Sequence, residues 1–221
     1  MRSVIGEAGG EPPPGPPTLF IPEIRDYQRI NAELIALLDR GHPQIHLEGA
    51  EGQRLLASGL SGQWHAVVEI QGPTGPELAA NLDAPHLTII ARGSTRDGAA
   101  RGLRSGRVLI LGDAGDAAGY AQSGGILIVA GLTGHRAGLA QSGGVLAILG
   151  STGRLVSDRQ TGGHCFLPSG AYGPHGGRGR QGGRFLESLD PARLDLTDRA
   201  AWRSIQDLAR GYRDIPDFPP V

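Results

Sequence analysis

The chain has no lysine, a single cysteine (Cys165), one methionine and few aromatic side chains, which make up 5% of its 221 residues. Each shortage excludes something. One thiol cannot close an internal disulfide, and a lone cysteine suits a reducing compartment. The 21 basic residues, all arginine, stand against 22 acidic ones and leave a net charge of −1. That balance provides no electrostatic footprint for nucleic acid or for an anionic membrane. No apolar run approaches the roughly 20 residues needed to span a bilayer. Met1 to Pro17 lack the apolar stretch of a secretory signal, so a cytoplasmic location is expected.

Glycine is what the chain has in excess, 37 residues placed at intervals rather than scattered. Short aliphatic runs each close on one: Ile45 to Gly49, Val67 to Gly72, Leu87 to Gly93, Val108 to Gly112, Ile126 to Gly131 and Val145 to Gly150. The closing positions step by 23, 21, 19, 19 and 19 residues, and one more step of 19 reaches Ser169. Gln122-Ser123-Gly124-Gly125 recurs as Gln141-Ser142-Gly143-Gly144 and again as Gln160-Thr161-Gly162-Gly163, with Gln181-Gly182-Gly183 as a looser last copy.

A period near 20 with one strand and glycine corners is the signature of a solenoid. Coils must turn sharply and stack about 4.8 Å apart, so corner residues are expected to need positive φ or no Cβ. The expected fold is all-β: a right-handed, single-stranded parallel β-helix of about seven coils, each of roughly 19–23 residues. Propeller blades are about twice as long, and collagen needs glycine at every third place.

Four segments are expected. Residues 1–21 form a Pro/Gly-rich disordered tail, 22–41 a helix stopped by Gly41, 45–187 the β-helix, and 188–221 a helix with an exit tail. In the first helix Ile24, Tyr27, Ile30, Leu34 and Leu37 form one apolar face, with Glu23 and Asp26 at its positive end. Thr197 is the expected cap of the last helix, which carries Trp202, Ile205, Leu208 and Tyr212 and ends before Pro216. The strands Val108–Leu111, Ile126–Val129 and Val145–Leu149 do not alternate apolar with polar residues. Both faces of their sheet are therefore covered, the outer one by a terminal helix or by another protein.

The coils at 112–125 and 131–144 read Gly-x-x-Gly-x-x-x-Gly followed by Ser-Gly-Gly, through Gly112, Gly115, Gly119, Gly124, Gly125 and Gly131, Gly134, Gly138, Gly143, Gly144, and the next coil opens with Gly150 and Gly153. This pattern resembles the GXGXG-repeat domain at the C-terminus of glutamate synthase large subunits. The same domain stands alone as the β-helix subunit of formylmethanofuran dehydrogenase, as that of the formyltransferase/hydrolase complex, and as the small β-helix subunit of N-methylglutamate synthase. Arg29-Ile30-Asn31-Ala32-Glu33-Leu34 is similar to the helix that leads into free-standing members of the glutamate-synthase-like group. The resemblance spans residues 25–187 and departs at Arg96 and Ser157, where repeat glycines would fall. It implies a scaffold subunit that binds no cofactor itself. FMN, iron–sulfur clusters and glutaminase chemistry would then belong to glutaminase-like and FMN-barrel partner chains. The alternative it implies is the β-helix subunit of a formylmethanofuran dehydrogenase or formyltransferase/hydrolase complex in one-carbon metabolism, partnered by formyltransferase subunits.

No residue set points to catalysis or to a metal. Gly177-Arg178-Gly179-Arg180-Gln181-Gly182 matches a dinucleotide fingerprint in letters but opens no βαβ unit. His164, Cys165 and His175 lack zinc-ligand spacing, and Cys165 in an apolar run reads as a small core residue before it reads as a nucleophile. Asp113 and Asp116 flank a corner, where aspartate caps backbone N–H groups. The segment Pro168–Gly183 is expected to interrupt the period, and Tyr172, His175, Arg178 and Arg180 within it are the candidate partner contacts.

Overall fold

The computed structural model describes residues 15–210, so the proline run up to Pro14 and the exit segment with Tyr212 and Pro216 lie outside the described residues. Nine parallel strands form one sheet in chain order: β1 (Thr18–Phe20), β2 (Gln44–Glu48), β3 (Ala66–Ile70), β4 (Asp83–Ala91), β5 (Ser105–Ile110), β6 (Ile126–Val129), β7 (Ser142–Ile148), β8 (Gly162–Phe166) and β9 (Arg184–Leu186). A sheet in which every neighbour is the next strand in sequence, and parallel, is a β-solenoid of about seven turns. Ile45, Val68, Ile89, Val108, Leu127, Leu146, Cys165 and Phe185 stand in register across it. Their spacings are 23, 21, 19, 19, 19, 19 and 20 residues. The period read from glycine positions is therefore the coil length.

Two expectations about that period need correction. Residues 168–183 do not leave the solenoid. A turn closed by Ala171 N–H on the Pro168 carbonyl absorbs one extra residue, and Tyr172 then pairs with Thr152 as Thr152 pairs with Thr133. The second correction concerns why glycine recurs. Gly112, Gly115, Gly124, Gly131, Gly134, Gly143, Gly150 and Gly153 all lie outside the left-handed region. A Cβ on Gly112 would lie 2.6 Å from the Ser94 nitrogen, and one on Gly150 would lie 2.6 Å from the Gly131 oxygen. These glycines are there because the coils touch through backbone. Positive φ is needed at Gly119, Gly125, Gly138 and Gly144.

The third side of each coil is an arm in which alternate residues are left-handed: Ala117, Gly119 and Ala121, then Arg136, Gly138 and Ala140, with Leu155, Ser157 and Arg159 following. Most of these positions are not glycine, at about 1–2 kcal/mol of strain each. Hydrogen bonds between coils offset it. Ala117 N–H donates to the His135 carbonyl at 2.7 Å, Ala121 N–H to Leu139 at 2.8 Å, and Gly119 N–H back to Ala99 at 2.8 Å.

The sheet separates two apolar clusters. Inward residues such as Ile89, Val108, Leu127 and Leu146 fill the lumen with no exposure, together with Leu56, Leu82 and Leu103 from the other walls. Outward residues Ile90, Leu109, Ile128, Ala147 and Phe166 pack under Trp202, Ile205, Leu208 and Ala209 of the last helix. The chain's own helix thus covers the apolar outer face between β4 and β8. It spans Leu196–Arg210, and its cap is Asp195 rather than Thr197: the Asp195 carboxylate accepts the Asp198 N–H at 2.9 Å.

At the N-terminal end the expected tail stops earlier than 21, since Thr18–Phe20 already pairs with β2. The expected helix is two: α1 (Ile21–Ile24) and α2 (Tyr27–Asp39), broken at left-handed Arg25 and restarted by the Asp26 carboxylate, which accepts the Gln28 N–H at 3.0 Å. The last helix, Leu196–Arg210, is α3. Gly41 (φ +79°) ends α2 as expected. Ile30, Leu34 and Leu38 join the lumen cluster, so α2 plugs the solenoid's first end.

Candidate functional site

Strand alternation decides what the reactive side chains near the C-terminal end can do. Along β8, Cys165 points into the lumen while His164 and Phe166 face α3, so His164 and Cys165 cannot act as a pair. Burial pushes the Cys165 thiol up to about 12, against smaller opposing effects of the Ser157 hydroxyl and Arg180. It is a core residue, not a nucleophile.

His164 belongs to a latch that fixes α3. Asp198, 1% exposed, receives the Arg184 Nε at 2.9 Å, and Arg184 also reaches Asp195 at 2.7 Å. His164 Nε2 lies 3.4 Å from Asp198 Oδ1, near enough for charge to matter but outside hydrogen-bond geometry. Burial lowers the His164 pKa below 6.5, and Arg184 adds to this, while Asp198 and Asp195 oppose it. The imidazole is neutral here at neutral pH. Its ring stacks parallel to Phe166, which in turn meets Trp202 at 5.3 Å. The arrangement is an apolar clamp with a charged end, and it holds a helix.

The acidic residues at the corners work between coils. Asp113 Oδ1 accepts the Leu132 N–H at 2.9 Å, and Asp116 Oδ1 accepts the His135 N–H at 2.7 Å. His135 Nδ1 accepts the Arg154 N–H at 3.0 Å and so continues the same ladder one coil on. Buried Gln122, Gln141 and Gln160 do similar work at the opposite corner. Gln141 Nε2 donates to the Gly143 and His164 carbonyls at 3.2 Å each, and Gln160 Nε2 reaches Gln141 Oε1 at 3.0 Å.

The four candidate contact residues divide by where the last coil places them. Tyr172 meets Phe185 edge-on at 5.4 Å, and Arg180 lies 5.2 Å over the same Phe185 ring. Phe185 follows Cys165 in the lumen column, so Tyr172 packs into the solenoid's far end while Arg180 stays exposed beside it. Hydrogen bonding to Glu187 raises the Tyr172 pKa. His175 and Arg178 are exposed too, with Arg178 Nη1 3.1 Å from His175 Nδ1.

A second surface lies on the left-handed arm, where a groove of about 600 Å³ passes Leu55, Glu77, Tyr120, Arg136 and Leu139. Arg101 is paired with Glu77 at 2.5 Å, and Arg54 sits 5.5 Å over the Tyr27 ring. Among the described residues no three His, Cys, Asp or Glu side chains gather to hold a metal, and no helix is long and apolar enough to cross a membrane.

Three contributors escape sequence reasoning: Asn31, Asp198 and the arm groove. Two of them leave a signal. Asn31 sits beside Ile30 on the buried side of α2, and Asp198 is at helical spacing from Trp202 and Ile205, so each is a polar residue on an apolar stripe. The groove leaves none, because its residues come from coils about 20 apart in sequence. Compared with family models, curated proteins and solved structures, the chain matches none.

Proposed function

We propose that this chain is a non-catalytic scaffold subunit of a glutamate-synthase-like amidotransferase or oxidoreductase complex. FMN, iron–sulfur clusters and glutaminase chemistry would be carried by partner chains. The observation that carries the scaffold role is the employment of its reactive side chains. Asp113, Asp116 and His135 accept N–H groups of the next coil, His164 and Asp198 hold α3, and Cys165 fills the lumen. Groups fixed in this way position backbone and are not free to bind substrate. The choice of complex rests on the resemblance of the Gly112–Gly153 repeat and of Arg29–Leu34, which the β-solenoid fold supports.

The test is affinity purification from the native cell, followed by mass spectrometry and a flavin absorbance scan. Co-purifying glutaminase-like chains and a yellow FMN-containing chain are expected. Formyltransferase subunits in their place would move the chain to a one-carbon complex. A monodisperse lone chain with hydrolase activity would overturn the scaffold reading altogether.

A further inference from the structure

The two ends of the solenoid are finished differently. At the first end Asn31 does the work of a missing coil. In later coils the middle left-handed residue of the arm donates its N–H backwards: Ala79 to Leu56, Ala100 to Leu78, Gly119 to Ala99. Ala57 has no earlier coil, and its N–H goes to Asn31 Oδ1 at 2.9 Å, while Asn31 Nδ2 donates to the Leu55 carbonyl at 2.9 Å. With Ile30, Leu34 and Leu38 over the lumen, that end is closed.

Among the described residues the far end has no such cap. In each earlier coil three backbone positions donate forwards. Thr133, Arg136 and Ala140 donate to Ser151, Arg154 and Asp158, and Thr152, Leu155 and Arg159 donate to Ala171, Pro174 and Arg178. One coil on, the same positions are Tyr172, His175 and Gly179, and among the described residues their N–H groups have no acceptor. The outer edge of β9 is likewise unpaired among the described residues, as is that of β1, so the ends differ in the arm and over the lumen rather than in the sheet. The chain then turns through Pro191–Arg193 to the outer face, where α3 lies, and among the described residues it does not cross this end. An open backbone edge on a rigid coil, with these donors free, is a template for another backbone.

We propose that this open coil is the docking end of the scaffold, and that it takes an extended, acidic segment of a partner chain as an added rung. The proposal rests on the scaffold reading above. Backbone carbonyls of the partner would meet Tyr172, His175 and Gly179, and its carboxylates would meet exposed Arg178 and Arg180. Charge selects this occupant. Arg178 and Arg180 outnumber Glu187, the acidic neighbour of Tyr172, so the rim is basic on balance. Two copies end to end would oppose arginines to arginines, which disfavours self-association.

The test is amide hydrogen exchange on peptides spanning 170–186, comparing the isolated chain with the complex purified from the native cell. Exchange in the complex should slow at least tenfold there, with no change in the Asn31-capped 53–60 segment. In the complex, Arg178→Glu with Arg180→Glu should weaken partner retention at least tenfold, whereas Arg178→Lys with Arg180→Lys should retain it. Unchanged melting of both variants keeps the readout independent of folding. A complex that forms with 170–186 unprotected overturns the end-docking proposal and leaves the scaffold role standing. Equal protection in the isolated chain, or protection in assemblies of this chain alone, overturns the acidic partner. A chain that purifies alone overturns both readings.

Discussion

One column of the solenoid changes character halfway along. At the corner before each strand, the first three coils carry Leu60, Leu82 and Leu103, and the next three carry Gln122, Gln141 and Gln160. All six are buried, at 1% exposure or less. The leucines complete an apolar lumen beside Leu56 and Leu78; the Leu60 and Leu82 coils are longer, at 23 and 21 residues, while the Leu103 coil already has 19. In the glutamine coils, also of 19 residues, Gly-Gly takes the corner. That leaves carbonyls at Gly124, Gly125, Gly143 and Gly144 turned toward the side chain, and each glutamine amide donates to them and to the next strand. The same column thus solves burial in one half by excluding water from carbon and in the other by satisfying carbonyls.

If the halves are built on different principles, truncations in them should differ in kind. Leu103→Ala empties part of a closed lumen and should destabilise by about 2–5 kcal/mol in denaturant titration. Gln141→Leu keeps the volume, yet leaves the Gly143, Gly144 and His164 carbonyls without their donor. It should still lose about 1–3 kcal/mol. A neutral Gln141→Leu would mean that leucine and glutamine coils are interchangeable, and the contrast would fall.

The end cap allows a finer comparison. Asn31→Ala removes the acceptor of the Ala57 N–H and should destabilise by about 1–2 kcal/mol, after a small gain in helix propensity. The exchange of the Ala57 amide should rise with it. No change in that amide would show that apolar contact alone closes the first end. Asp116→Ala, which removes only an exposed acceptor for the His135 N–H, should lose about 0.5–1.5 kcal/mol.

What is legible in the sequence follows from how strictly each residue is constrained. The coil length can be read because a Cβ at Gly112 or Gly150 would strike the neighbouring coil, so the glycine spacing preserves the backbone spacing. Its cause is half legible: left-handed φ is expected to need glycine, yet Ala117, Arg136 and Ser157 adopt it under coil-to-coil hydrogen bonds. Glycine density misleads at 168–183, where a full coil looks like an excursion. The covered outer face can be read from Ile126–Val129, but not what covers it, because Trp202 reaches Phe166 across 36 residues and no local pattern encodes that pairing. Asn31 and the open end need the structure, since each is defined by what the neighbouring coil does or does not supply.

The smallest effect expected is on pH, and it separates the two ends of α3. Over the leucine half this helix rests on apolar contacts, whereas over the glutamine half it is also held by Asp198, Asp195, Arg184 and His164. Above pH 6.5 the imidazole is neutral in both the folded and unfolded chain and adds no pH dependence. Below 6.5 the unfolded chain takes up a proton that the folded site resists, so stability falls as pH drops toward the lowered folded value. Asp195 acts in a separate window. The Asp198 N–H chiefly, and Arg184 in addition, hold its pKa below 3.8, so its contribution is complete above 3.8 and is lost as pH falls through the folded value. Melting temperature should therefore decline in two steps, with exchange rising first in the initial turns of α3. His164→Gln should abolish the upper step and leave the lower one. A variant that keeps the upper step would place its origin elsewhere, and the charged end of the helix would then be no more acid-sensitive than the apolar end.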